Sequence, residues 1–199
     1  MTIRDARKQA YSILTRIEEP CKTTSPFLDI DCFLMRLLHA DKAYLIAHDD
    51  EQLPSQVYAD FILMIEQRKK GLPVAYILKE KEFWGLNFYV DESVLIPKSD
   101  TEILVEQAIL CARQTAQSRT SFTFLDLCCG SGCIGIALIH TLLLKKYFDF
   151  IHCTASDISA GVLSVTRKNY TNIIYSSGSG FLKDSKSKTE LVQSDLFSS

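Results

Sequence analysis

Between residues 126 and 135 the chain reads Asp126-Leu127-Cys128-Cys129-Gly130-Ser131-Gly132-Cys133-Ile134-Gly135, an acid, three thiols and three glycines in one short stretch. Gly130, Gly132 and Gly135 match G-x-G-x-x-G, a spacing that brings bare backbone close to a ligand where a strand turns into a helix. Asp157 closes the next apolar run, where a carboxylate can accept from both hydroxyls of a ribose. A nicotinamide dinucleotide site shows the same features, and Asp126 separates the two readings. A dinucleotide would set a doubly charged pyrophosphate near that acid, and a carboxylate about 5 Å away at an effective dielectric of ~20 costs ~3 kcal/mol per phosphate charge before screening. S-adenosylmethionine brings an ammonium and a sulfonium instead, so the acid, expected to point into the crevice, favours the cationic cofactor. The glycines then let the backbone approach the methionine part and the ribose. Asp195, after a third apolar run, is expected on the same sheet edge. Each acid also has an ordinary local reading: Asp126 as a turn former, Asp157 as a helix-start acid beside Ser159, Asp195 as a tail residue.

The three clustered cysteines invite a metal. Neighbours in a strand point to opposite faces, and no second Cys-x-x-Cys or Cys/His pair supplies further ligands. The reading is therefore no metal, with Cys128, Cys129 and Cys133 as small apolar fillers. Seven cysteines, an odd number in a chain whose start carries Arg4, Asp5, Arg7 and Lys8 without an apolar run, read as reduced thiols in a cytoplasmic protein.

The elements that must position these residues follow from periodicity. Phe122 to Leu127 reads as a buried strand, Cys133 to Leu144 as an apolar helix, Phe150 to Ser156 as a second strand ending at Asp157, and Ser159 as the N-cap of a helix to about Tyr170. Residues 171–188 read as a flexible polar connector and Glu190 to Gln193 as a third short strand. Strand, glycine turn, helix, strand, helix is the opening of a doubly wound α/β sheet.

Upstream, Ala6, Ala10, Ile13, Leu14 and Ile17 form one helix face behind a Thr2/Asp5 capping box. Pro26 and Pro54-Ser55 open two more helices, the first with Phe33, Leu34, Leu37 and Leu38 inward and the second with Val57, Tyr58, Phe61, Ile62 and Ile65, ending at Gly71-Leu72-Pro73. Asp49 to Gln52 reads as a solvated loop. Phe83, Leu86, Phe88 and Val90 around Trp84-Gly85 predict a hairpin, and Ser99 with Glu102 predicts a capping box for a helix burying Ile103, Leu104, Ala108 and Ile109. The expected domains are a helical bundle over 1–72, a hairpin linker over 73–100 and an α/β domain over 101–199.

Composition narrows the partners. With 22 Lys+Arg against 24 Asp+Glu, spread evenly either side of Lys70, no basic module exists to grip a phosphate backbone, which argues against nucleic acid. The apolar stretch Cys133 to Leu144 falls short of the ~18 to 20 residues that span a bilayer, so no membrane role is expected.

Four segments carry a resemblance. Pro73-Val74-Ala75-Tyr76-Ile77-Leu78, Glu80-Lys81-Glu82-Phe83-Trp84-Gly85-Leu86, Val94-Leu95-Ile96-Pro97-Lys98-Ser99-Asp100-Thr101-Glu102 and Leu125 to Gly132 closely resemble the HemK/PrmC family. That family consists of S-adenosylmethionine-dependent methyltransferases that modify the glutamine amide of the Gly-Gly-Gln motif in peptide chain release factors, which act in translation termination. The resemblance implies a helical bundle that recognises the release factor, followed by a Rossmann-like methyltransferase sheet. It places the cofactor on Cys128, Cys129, Gly130, Ser131, Gly132 and Asp157, with Asp195-Leu196 against the adenine; Asp126 joins them from the charge argument. Three departures stand out: Lys79 where the family has Gly, Lys98 for Arg, and Cys128-Cys129 for Gly-Thr, the added Cβ at 128 being expected to weaken the cofactor. The family's Asn-Pro-Pro-Tyr loop, which holds the substrate amide, would follow a fourth strand beyond Ser199. No residue of this stretch is therefore assigned to catalysis, and residues 1–199 alone are expected to be an incomplete, self-associating and inactive methyltransferase domain. The competing readings are a shortened, non-catalytic cofactor- or partner-binding module, a related ribosomal-protein glutamine methyltransferase and a nicotinamide oxidoreductase.

Overall fold

The computed structural model describes residues 1–16, 25–175 and 187–196. The chain divides into two compact units, Met1–Leu78 and Lys79–Ser199.

The first unit is helical: α1 (Ile3–Leu14), α2 (Pro26–Leu38), α3 (Lys42–Ala47), α4 (Ser55–Lys69) and the short α5 (Val74–Leu78). The Thr2/Asp5 capping box is present in both directions and starts α1 as the sequence requires. Ala6, Ala10 and Leu14 of α1, Ile30, Phe33 and Leu34 of α2, and Phe61 and Ile65 of α4 close one core. Ile17 lies outside the described residues. Val74, Ile77 and Leu78 pack against this core, so residues 73–78, read as the start of the linker, group with the bundle. Asp49 to Gln52 is more than a solvated loop. Arg4 donates to Asp49 at 2.6 and 2.8 Å, Tyr44 Oη donates to Glu51 at 2.8 Å, and Gln52 pairs with Thr2 as an isolated bridge, so the segment straps the chain's start.

The second unit opens with the expected hairpin, β1 (Lys81–Phe83) and β2 (Leu86–Phe88), paired antiparallel. Its two-residue turn has Trp84 at φ 57° and Gly85 at φ 67°, the doubly left-handed geometry whose twist suits a tight hairpin. A single 3-10 turn (Ser99–Thr101) leads into α6 (Glu102–Thr115). The capping box expected here is absent, because Glu102 Oε1 instead accepts the Trp84 backbone N–H at 2.8 Å. The inward stripe of α6 also shifts: Val105 and Ala112 are buried with Ala108 and Ile109 beside them, while Ile103 and Leu104 are exposed.

Three parallel strands follow, β3 (Ser121–Leu127), β4 (Phe150–Asp157) and β5 (Ser187–Gln193), in the order β3-β4-β5, with α7 (Cys133–Lys145) and α8 (Ala160–Tyr170) as crossovers. The last strand begins three residues before its expected start. Thr171–Tyr175 is not connector but a π-helical turn, held in by the buried Ile173 and Ile174; residues 176–186 of the expected connector lie outside the described residues. Phe122, Phe124 and Asp126 share a sheet face with Ile151, Cys153 and Ala155, and α7 and α8 cover it. On the opposite face Leu125 and Leu127 are exposed, and among the described residues β3 has no strand on its free side. No helix among the described residues is long and apolar enough to cross a membrane.

Candidate functional site

All the acids singled out by the sequence stand at the carboxyl ends of consecutive parallel strands, the edge where open α/β sheets bind ligands. The turn between β3 and α7 starts with Cys128 at φ 56°, then runs through Gly130 at 56° and Gly132 at 76°, the N-cap of α7. A Cβ on Gly132 would fall 2.7 Å from Thr166 Cγ2 and 3.0 Å from Ile136 Cδ1, so glycine is required there by both backbone and space. Gly132 N–H donates to Cys129 O at 2.8 Å, and Cys129 N–H donates to Ser156 O at 2.9 Å, which stitches the turn to the end of β4.

Asp157 locks the turn from the next strand. Its Oδ2 accepts from Gly130 N–H and its Oδ1 from Ser159 N–H, each at 3.2 Å, while Ser159 Oγ caps α8 as expected by accepting from Val162 N–H. The carboxylate has lone pairs to spare for a diol. From β5, Ser194 N–H donates to Asp157 O at 3.0 Å and Gln193 Nε2 donates to Ile158 O at 3.0 Å, so the Asp195-Leu196 segment lies beside the Asp157 loop. Ile158 and Leu196 leave large apolar surfaces open there, 65% and 54% exposed.

Asp126 departs from its expected pose. It does not stand open in the crevice but lies 9% exposed beneath the first turn of α7, where Oδ2 accepts from Gly135 N–H at 3.1 Å. Strand alternation puts it on the covered face with Phe122 and Phe124, and Gly135 makes room: a Cβ there would sit 2.7 Å from Oδ2. Burial pushes its carboxyl up to about 6, opposed by the Gly135 bond, and no ion pair reaches it among the described residues.

Among the described residues no group of three or more His, Cys, Asp or Glu is arranged to hold a metal. Burial pushes the Cys129 thiol up to about 11 and Cys153 to about 12, and raises Cys133, which disfavours the thiolates a metal would bind.

Two residues of the site escaped the sequence reading. Thr166 Oγ1 donates to Gly130 O at 2.8 Å, and Asn169 Nδ2 donates to Ser131 O at 2.9 Å. The available signal was two polar side chains on the inward face of α8, where Val162, Leu163, Val165 and Tyr170 are buried.

A glycine turn closed by acids on consecutive parallel strand ends places the chain in the α/β class, with its polar groups on the edge where open sheets of that class bind ligands. Residues 5–78 match the PrmC N-terminal domain family. The release factor glutamine methyltransferase of Borreliella burgdorferi is 34% identical over 164 residues, 78% of this chain and 52% of that protein. That of Clostridium acetobutylicum is 32% identical over 171 residues, 85% and 54%, and that of Shewanella oneidensis 31% over 196, 98% and 59%. Over most of its own length the chain is similar to these methyltransferases, and it spans about half the length of the curated relatives it matches.

Proposed function

We propose that this chain carries the cofactor half of an S-adenosylmethionine-dependent protein methyltransferase acting on the glutamine amide of a Gly-Gly-Gln release factor. The observation that carries the cofactor reading is Asp126, a buried carboxylate that no ion pair reaches among the described residues, beside a turn whose Gly130 and Gly132 carry no Cβ. Such an acid is costly unless a positive ligand comes near it, and a pyrophosphate would add to the cost. The substrate class is supported by the names of the relatives and by the PrmC N-terminal domain, read as the release-factor recognition unit.

In this reading Gly130, Ser131 and Gly132 receive the cofactor along their backbone, with Cys128 and Cys129 flanking. Asp157 accepts from the ribose hydroxyls, Asp195-Leu196 with Ile158 lies against the base, and Asp126 offsets the cofactor's positive charge through the turn rather than by contact. S-adenosylmethionine supplies an electrophilic methyl group to the amide nitrogen. The role of this chain's residues is to bind and orient it.

Calorimetric titration of the full chain with S-adenosylmethionine and, separately, NADH tests the reading. Binding of the first, with Asp157→Ala reducing it at least tenfold and NADH failing to compete, is the expected result. Binding of NADH, or an Asp157→Ala variant with undiminished affinity, overturns the cofactor assignment. Transfer of radiolabelled methyl to a Gly-Gly-Gln release factor, but not to its Gly-Gly-Ala variant, tests the substrate; it requires the full-length protein if the chain is part of a longer one.

A further inference from the structure

The glycine turn is braced from a helix that carries none of the acids. Thr166 and Asn169 stand three residues apart on one face of α8, 2% and 1% exposed, and their side chains take consecutive carbonyls of the turn, Gly130 O and Ser131 O. A carbonyl held in place fixes the whole planar peptide that contains it. The Gly130-Ser131 and Ser131-Gly132 planes, which lie between the two left-handed glycines, are therefore both set by α8. Thr166 adds its Cγ2 against Gly132 and lies 3.5 Å from Cys129 Sγ, so it touches three of the turn's residues.

Asn169 does a second thing. Its Oδ1 accepts from Tyr89 N–H at 2.7 Å and its Nδ2 donates to Tyr89 O at 2.9 Å, which clasps both backbone groups of the residue just after the hairpin. Lys168 reinforces the clasp, with Nζ 3.2 Å from the centre of the Tyr89 ring. One buried amide thus joins the glycine turn to the segment that leads from the hairpin to α6.

We propose that Thr166 and Asn169 are positioning residues for the cofactor. They hold the glycine turn in its binding shape before any ligand arrives, and Asn169 makes the Tyr89 segment part of the same rigid unit. This rests on the reading of the turn as the S-adenosylmethionine site. Ligand affinity then carries no cost for ordering the turn, and removing a brace restores that cost.

The test uses the full chain, S-adenosylmethionine calorimetry and residue-resolved hydrogen exchange without ligand. Thr166→Val keeps the shape and loses the hydroxyl, Thr166→Ser keeps the hydroxyl, and Asn169→Ala releases both partners. Expected are affinity lowered about five- to tenfold by Thr166→Val, the scale of one lost neutral hydrogen bond, and largely restored by Thr166→Ser. Exchange at the Gly132 amide rises in Thr166→Val while the β3 and β4 amides hold, and in Asn169→Ala the rise extends to the segment after Tyr89. Unchanged affinity in Thr166→Val with an intact wild-type response overturns the positioning role alone. A uniform rise in exchange across the sheet overturns it too, because it marks a merely structural residue. A wild-type chain that binds no S-adenosylmethionine overturns the cofactor reading and the proposal with it.

Discussion

Asp126 and Cys128 are both residues that the fold tolerates at a cost. The Asp126 carboxyl moves from 3.8 to about 6 on folding because burial disfavours its charge. A group whose folded value is raised contributes stability that is whole below 3.8 and is lost as pH rises through about 6. Urea titrations between pH 3.5 and 7.5 are therefore expected to show a falling component in the ligand-free chain that Asp126→Asn lacks. The variant gains up to about 3 kcal/mol at pH 7, since Asn still accepts from Gly135 N–H, and loses cofactor affinity. Opposite signs for stability and binding are the mark of an acid kept for a ligand. Cys128 at φ 56° and Lys79 at φ 57° are left-handed, and they are two of the positions where the resembled family carries glycine. Cys128→Gly is expected to stabilise the chain by about 0.5–1 kcal/mol in thermal or urea melts, by relieving a Cβ that this conformation disfavours. The positions of the acids at the strand ends were legible in the sequence. The buried pose of Asp126 depended on the alternation register of β3 and on a glycine nine residues on, which no local pattern encodes.

At the level of elements, the turn from β3 to α7 shows how a helix can give up propensity for contact. Gly135 lies inside α7 at an ordinary helical φ, where alanine would normally add about 0.5–1 kcal/mol. Here the added Cβ meets Asp126 Oδ2 at 2.7 Å, so Gly135→Ala is expected to destabilise by about 1–2 kcal/mol. In an Asp126→Ser background, with the long carboxylate gone, the same change is expected to become neutral or stabilising, and a double-mutant cycle in urea measures the difference. Strands, glycine turn and the Thr2 and Ser159 caps were legible because their signals are local. The start of α6 was not: Ser99 and Glu102 have the spacing of a cap, but Glu102 is taken by the hairpin backbone at Trp84, a contact across 18 positions. Thr166 and Asn169 read as helix residues for the same reason, since their partners lie 36 and 38 positions away.

Across the whole molecule, each unit closes its own apolar core, one around Phe33 and Phe61 and the other around Phe83, Phe88 and Ile139. The sequence marked the change of character near Gly71, yet the division comes after Leu78, because α5 spends its apolar residues on the bundle. The hairpin turn carries a consequence for measurement. Trp84 is the chain's single tryptophan, and its indole N–H donates to Thr141 Oγ1 on α7 at 3.0 Å. All tryptophan emission therefore originates where the hairpin docks on the helix that follows the glycine turn, and none originates in the bundle. Denaturation followed by emission reads only the second unit, whereas far-ultraviolet circular dichroism reads helices of both. The two midpoints are expected to differ if the cores melt separately and to coincide if they melt as one. A cofactor added to the sample should move the fluorescence midpoint and leave the remaining dichroism step where it was, so one native chromophore distinguishes a ligand on the sheet from a ligand on the helices without any label.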